Sequence, residues 1–279
     1  MGKPIMRRRP LLLSAAVGAA TVLGATGLAA ANSGSPSHSD ARPKPTVVLV
    51  HGAFAESASW NGVIDRLERD GYQVIAPANP LRGLHSDAAY LASVLHSVKG
   101  PVVLAGHSYG GSVISEAAAH NHHVKALVYI AAFSPDKGES AGELSGKFPG
   151  STLGPTLNKV PFPKADGTTG TDLYIQPGKF RAQFAADVSA REAARMAATQ
   201  RPIAADALDE TATATAWKAI PSWDLITRQD KNIPAAAQRF MAERAHSHST
   251  EIDASHSVTV SHPGAVTRII ERAATTTAR

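Results

Sequence analysis

Ser108 stands in the run Gly106-His107-Ser108-Tyr109-Gly110, between an apolar stretch, Pro101 to Ala105, and a helix-like one, Gly111 to His120. A strand, a sharp turn and a helix with serine at the apex present its hydroxyl for attack on an acyl carbon. A backbone bent that sharply is strained, so the residues two before and two after the serine must carry no side chain that collides across the turn. Gly106 and Gly110 meet that demand, and Gly111 leaves room for the helix to pack closely. A chance Gly-Ser-Gly loop has no reason to lie between a strand and a helix.

A serine hydroxyl is a weak nucleophile and needs a base, an acid to orient that base, and donors for an oxyanion. His256, in Ala254-Ser255-His256-Ser257, follows the last short strand and is the expected base. Asp230, in Thr227-Arg228-Gln229-Asp230-Lys231, lies just beyond the carboxyl end of the preceding strand and is the expected acid. Open α/β sheets place their chemistry at such ends, and the chain order Ser108, Asp230, His256 fits one known arrangement of this constellation. His262 competes as base, but Pro263 follows it at a helix start, which makes it a cap or surface residue. Asp224 competes as acid, yet it lies near the start of its strand, at the wrong end of the sheet, and reads as ion-paired or edge-exposed. Asp253 reads as solvated.

His51-Gly52-Ala53-Phe54 closes the first strand, and Gly52 lets that loop approach the serine. The N–H groups of Ala53 and of Tyr109, the residue after the serine, are the expected oxyanion hole. His51 and His107 precede tight turns and are expected to hydrogen-bond backbone and hold those loops. His120, His122, His123, His246 and His248 cluster near helix ends without a further ligand in register, so they read as solvated rather than as a zinc site. The chain has no cysteine, which removes disulfides, thiolate metal sites and a cysteine nucleophile. No metal and no cofactor is implied.

These residues must be positioned by a scaffold. Thr46 to Val50, Gln73 to Ala76, Pro101 to Ala105, Lys125 to Ile130, Ser222 to Thr227 and Thr250 to Asp253 read as strands. Helical segments alternate with them, at Trp60 to Asp70, Asp87 to Val98, Ala235 to Ala245 and Pro263 to about Ala274. That alternation predicts an α/β fold with a mostly parallel open sheet and helices on both faces. Between about residues 134 and 218 the rhythm breaks: prolines, glycines and a helical pattern at Ala190 to Gln200 occur without a long apolar strand. Such an insertion predicts a helical cap over the site.

The N-terminus pairs Arg7, Arg8 and Arg9 with an apolar stretch and the small residues Ala29-Ala30-Ala31, the pattern of an export signal over residues 1–31. Both the general secretory and the twin-arginine routes fit it. Residues 32–45 read as a disordered linker rich in Ser and Pro, and residues 46–279 as one catalytic domain. Lys3 and the three arginines carry four of the formal +5 charges, with no acid before Asn32, leaving +1 for the remainder. The basic pI therefore implies no nucleic-acid partner. Removal of the signal leaves no stable membrane span, and the mature chain is expected to be secreted or extracytoplasmic. Its oligomeric state is not legible.

Val50-His51-Gly52-Ala53-Phe54, Gly106 to Gly111, Ala131-Ala132-Phe133, Ile220-Pro221-Ser222-Trp223 and Ala254-Ser255-His256 together resemble the α/β-hydrolase superfamily from about Thr46 to Ala274. Within it they resemble the small serine esterases related to plant methyl esterases and hydroxynitrile lyases. The lyase branch carries threonine in place of Gly52 and lysine in place of Ser257, so the resemblance implies ester hydrolysis rather than cyanohydrin cleavage. Ser108 likewise excludes the branches that use an aspartate at the elbow. The expected activity is cleavage of a small or medium carboxylic ester through an acyl-enzyme, with Phe54, Phe133 and Trp217 in an apolar substrate pocket. A cofactor-free perhydrolase or haloperoxidase uses the same residues, and a noncatalytic binder on the same scaffold is the remaining alternative.

Overall fold

The computed structural model describes residues 44–277. The expected export signal, and the expected linker up to residue 43, lie outside the described residues. In chain order, β1 (Thr46–Val50) is followed by α1 (Asn61–Arg69), β2 (Val74–Ile75), α2 (Leu84–Ser97), β3 (Val102–His107), α3 (Tyr109–Ala117) and β4 (Val124–Ile130). The insertion holds α4 (Ala141–Gly146), β5 (Leu157–Pro163), β6 (Thr169–Ile175), α5 (Pro177–Phe184), α6 (Ala190–Thr199), β7 (Ile203–Ala204) and α7 (Ala205–Asp209). The chain then returns through β8 (Ser222–Thr227), α8 (Ala235–Arg244), β9 (His248–Ile252), α9 (Val258–Ser261) and α10 (Pro263–Thr277).

The central strands β1, β3 and β4 are apolar at nearly every position and so cannot face water on either side, and they lie inside a six-stranded sheet in the order β2-β1-β3-β4-β8-β9, whose edges β2 and β9 are less buried. Every neighbouring pair is parallel. Side chains alternate between the two faces. Val47, Leu49, Val103 and Ala105 pack with Val63 and Leu67 of α1 and Ile269 and Ile270 of α10. Val48, Val50 and Leu104 pack on the other face with Leu91, Leu95, Val113, Ile114 and Met241 of α2, α3 and α8. Each fully buried Leu or Ile contributes about 1.5–3 kcal/mol, and in a chain without cysteine these two layers carry the stability. β1 has β2 on one side and β3 on the other, so the connections leaving it and β3 diverge and open a crevice at their carboxyl ends.

The insertion is not helical alone. β5, β6 and β7 form a second, antiparallel sheet, absent from the sequence reading. Pro161 and Pro163 fall inside β5 and argue against a strand, but β5 is an edge, where a missing N–H leaves no neighbour unpaired. Its side chains are mostly exposed, so it lacks the apolar run by which a buried strand is read.

Candidate active site

The turn at Ser108 is strained at the serine itself. Its φ of 56° and ψ of −126° lie where a residue with a Cβ rarely goes. The flanking glycines give clearance rather than unusual dihedrals. A Cβ on Gly106 would stand 2.6 Å from the Gly110 carbonyl oxygen, and one on Gly110 would stand 2.5 Å from that of Val50. Gly52 does the same for the neighbouring loop, since its Cβ would stand 2.7 Å from the Ser108 Cβ. The strand, turn and helix expected around Ser108 are therefore present, and the loop after β1 touches the turn.

β8 and β9 are parallel neighbours, so the loops leaving their carboxyl ends meet. Backbone bonds from Arg228 to Ile252 and from Gln229 to Ala254 tie those loops together. Asp230 and His256 are thereby brought side by side, with His256 Nδ1 2.7 Å from Asp230 Oδ2 and His256 Nε2 2.8 Å from Ser108 Oγ. A carboxylate only accepts, so Nδ1–H donates to Asp230 and Nε2 is left to accept the Ser108 hydroxyl. The carboxylate is held by four further donors: Thr227 Oγ1 and Gln238 Nε2 on Oδ2, and the N–H groups of Asn232 and Ile233 on Oδ1. All three residues are buried. A serine so placed can pass its proton to an imidazole whose orientation is already set.

Ala53 and Tyr109 both line the cavity at Ser108. Neither N–H has an acceptor among the described residues. His51 controls one of them: Asn79 N–H donates to its Nε2 at 3.0 Å, so its Nδ1–H donates to the Gly52 carbonyl at 3.0 Å. The Gly52 carbonyl and the Ala53 N–H belong to one planar trans peptide and point in opposite directions, so holding the first aims the second. Burial pushes the His51 pKa down to about 4, which keeps the ring neutral and able to accept from Asn79. His107 Nε2 bonds the His256 carbonyl at 2.8 Å. Burial, followed by the neighbouring His256, holds the His107 pKa well below that of a free imidazole. Both histidines bind backbone, as the sequence reading expects.

The rival residues fall elsewhere. His262 contacts Ser261 Oγ at 2.9 Å and Asp187 at 3.5 Å, outside this constellation. Asp253 is not simply solvated, because it forms a two-pronged pair with Arg228, both bonds 2.7 Å. Asp224 is neither ion-paired nor at an exposed edge. It is 4% exposed within β8, its Oδ2 has no partner, and burial pushes its pKa up to about 7.

The cavity at Ser108 has a volume of about 200 Å³, and Phe54, Tyr109, Phe133, Leu153, Leu157 and Leu208 supply much of its apolar wall. Tyr109 is fixed by its hydroxyl, which donates to Asp87 Oδ2 at 2.9 Å. Phe54 adopts a φ of 60°, a second strained residue beside the nucleophile. Trp217 is not in this cavity, contrary to expectation. Its Nε1–H donates to the Pro135 carbonyl at 2.9 Å and its ring is covered by Arg244 and Lys218. It borders a separate cleft of about 540 Å³ with His246 and His248. An apolar residue late in the insertion is as able to close the base of the cap as to face the substrate, and the order of residues does not distinguish the two.

Sequence reasoning missed a contact between the cap and the His256 loop. Asp187, between α5 and α6, accepts from Ser255 N–H at 3.0 Å and from Ser255 Oγ. The Phe184 carbonyl accepts from Ser257 N–H at 3.0 Å, and the Phe184 ring meets the His256 ring edge-on at 4.9 Å. Both neighbours of His256 are thus anchored to one cap segment. No local signal announces it, since Asp187 and Ser255 are 68 residues apart.

Among the described residues, no group of three or more His, Asp or Glu is placed to hold a metal ion, and no helix is long and apolar enough to cross a membrane.

Residues 47–269 match the alpha/beta hydrolase family, and the chain belongs to that family. The alpha/beta hydrolase nvfD of Aspergillus novofumigatus (strain IBT 16806) is 27% identical over 255 residues, 83% of this chain and 97% of that one. Among solved structures, polyneuridine aldehyde esterase matches with a TM-score of 0.71 at 20% identity, over 82% of this chain and 98% of that one. The methylesterase protein MES16 from Arabidopsis matches with a TM-score of 0.69 at 18% identity, over 83% and 99%. The chain is thus an alpha/beta hydrolase whose fold is that of plant methyl esterase-like proteins.

Proposed function

We propose that this protein is a serine hydrolase that cleaves a small or medium carboxylic ester, with Ser108 as nucleophile, His256 as base and Asp230 as its orienting acid. The observation that carries the reading is the unbroken line Ser108 Oγ, His256 Nε2, His256 Nδ1, Asp230 Oδ2, with contacts of 2.8 and 2.7 Å. The esterases among its structural relatives support it. His256 takes the Ser108 proton as Oγ attacks the ester carbonyl carbon, and Asp230 stabilises the imidazolium. The N–H groups of Ala53 and Tyr109 receive the oxyanion, the latter at the N-terminus of α3, where the helix dipole adds to the donor. The carbonyl carbon's bond to the alkoxy oxygen breaks, the alcohol leaves with the His256 proton, and an acyl group remains on Ser108. Water then gives its proton to His256, attacks the acyl carbon and frees the acid, and Oγ recovers its proton. Phe54 and Phe133 contact the substrate, and no cofactor enters any step.

A series of p-nitrophenyl esters of graded chain length tests the reading, with Ser108→Ala as control. Turnover by the native chain and its loss in Ser108→Ala are expected. Most of the activity surviving in Ser108→Ala removes the nucleophile assignment. We also propose export, from the basic and apolar character of residues 1–31; a secreted product whose N-terminus by mass spectrometry lies near Asn32 is the expected outcome.

A further inference from the structure

Resting on the esterase reading, we infer that the alcohol portion of the ester passes Phe54 into a second cleft, at the seam between the cap and the sheet, and that Phe54 sets the bulk of the alcohol accepted. The substrate class is then an ester of a short acid with a longer apolar alcohol. The cavity at Ser108 holds about 200 Å³, short of the roughly 300 Å³ at which pockets for drug-sized molecules begin. One arm of an ester fills it. The second cleft holds about 440 Å³, and Phe54 is the residue common to both walls. The larger cleft beside Trp217 shares no residue with the cavity at Ser108. Phe54 and Ala55, both buried, and Met196 and Val260, both half-buried, give the second cleft an apolar lining, while Glu192 and Arg195 on its α6 side pair with each other.

The chemistry decides which arm enters the cleft. At the tetrahedral carbon one bond goes to Ser108 Oγ and one to the oxyanion, and the leaving oxygen must lie within reach of His256 Nε2, which gives it a proton. The cleft is built on the elements around that histidine. Val260 belongs to α9, which begins at Val258, and α6 follows the cap segment that anchors Ser255 and Ser257. The apolar wall of the Ser108 cavity comes instead from Leu153 and Leu157, where the cap's sheet begins, and from Leu208 of α7, and it receives the acyl chain. Phe54 is fixed at the junction of the two. Its φ of 60° is one that glycine adopts without strain, yet the position keeps a ring. Its N–H donates to the Arg201 carbonyl at 3.0 Å, just beyond α6, and its ring meets that of Phe184 edge-on at 6.3 Å. Held by the cap through both backbone and side chain, the ring lets an extended alcohol pass along its edge and obstructs a branched one.

The experiment compares kcat/KM for hexyl acetate and ethyl hexanoate, isomers whose long arms lie on opposite sides of the ester, each divided by its rate of alkaline hydrolysis. The native chain is expected to favour hexyl acetate by about tenfold or more, since each methylene buried against apolar surface changes binding by up to about fourfold. Ala58→Trp fills the cleft from an exposed position in its wall and should bring that ratio to near one. Phe54→Ala should raise menthyl acetate relative to hexyl acetate by about tenfold, because the branched alcohol no longer meets the ring. Each ratio is taken within one protein, so a general loss of activity or stability cancels, and Phe54→Leu serves if the alanine variant does not fold. Equal or greater kcat/KM on ethyl hexanoate in the native chain overturns the inference and leaves the esterase reading standing. So does an isomer ratio unchanged in Ala58→Trp, or a menthyl-to-hexyl ratio unchanged in the Phe54 variant. No turnover of any ester, including the p-nitrophenyl series, removes the esterase reading and this inference with it.

Discussion

Asp224→Asn should flatten the pH dependence of stability while leaving ester turnover in place. The carboxyl is buried in β8, and its pKa is raised from 3.8 to about 7, by burial above all, with the Ser247 hydroxyl pulling the other way. Between those two values the folded chain holds a proton on Asp224 that the unfolded chain has released, so stability falls as pH rises through that window and levels off above it. A shift of about three units corresponds to about 4 kcal/mol at most, of which about 3 kcal/mol lies between pH 5 and 8. The buried histidines work in the opposite sense. His51, with a folded pKa of about 4, and His107, also lowered, cost stability as pH falls below the unfolded histidine value. Urea unfolding followed by tryptophan fluorescence, at pH 5, 6, 7 and 8, gives the difference between native and Asp224→Asn at each pH, and the histidine contribution cancels in that difference. Asparagine keeps the size of the carboxyl and stays neutral, so the variant should gain on the native chain by about 3 kcal/mol from pH 5 to pH 8. A difference independent of pH would mean that Asp224 is charged in the folded protein, and the account of its burial would be wrong.

Ser108→Ala and His256→Ala should each lower the kcat for ester hydrolysis by about four decades or more, and Asp230→Asn by a comparable factor, with the urea midpoint of the serine variant close to native. Normal turnover in Asp230→Asn would displace it as the acid. Asp187→Ala, which frees Ser255, should lower kcat about tenfold with little change in KM because it acts on the placement of His256, and Asp187→Asn, which keeps one acceptor, should recover part of the loss; a change confined to KM would make Asp187 a contact for substrate instead. Leu153→Ala enlarges the cavity at Ser108 and should move the preferred ester towards longer chains, whereas Phe148→Ala, whose ring packs against Phe240, should lower the melting temperature without moving that preference. Kinetics across the p-nitrophenyl series checks both, and a uniform fall in Leu153→Ala that tracks its melting temperature would assign that residue to the core.

The elbow at Ser108, the strands beneath it and the placement of Asp230 and His256 were legible in the sequence because their causes are local. Gly106 is demanded by a clash four residues away, with Gly110, and a strand buried on both faces is mostly apolar. A parallel sheet gathers its chemistry at the carboxyl ends of strands, wherever their partners lie in the chain. Even the backbone roles of His51 and His107 follow from their positions at tight turns. What only the tertiary structure decided depends on groups distant in the chain. Trp217 closes the base of the cap against Pro135 and Arg244, Asp187 fastens the cap to the His256 loop, and Phe54 meets Phe184 of the cap. Burial by the layers around its strand raises the pKa of Asp224 to about 7. The β5–β7 sheet of the cap is a similar case, because paired edges satisfy its backbone while its side chains, prolines included, carry no apolar period. Residue type and spacing specify which chemistry a chain can perform. The solvation of each group and the partner it meets belong to the folded ensemble of contacts, which no short window of sequence contains.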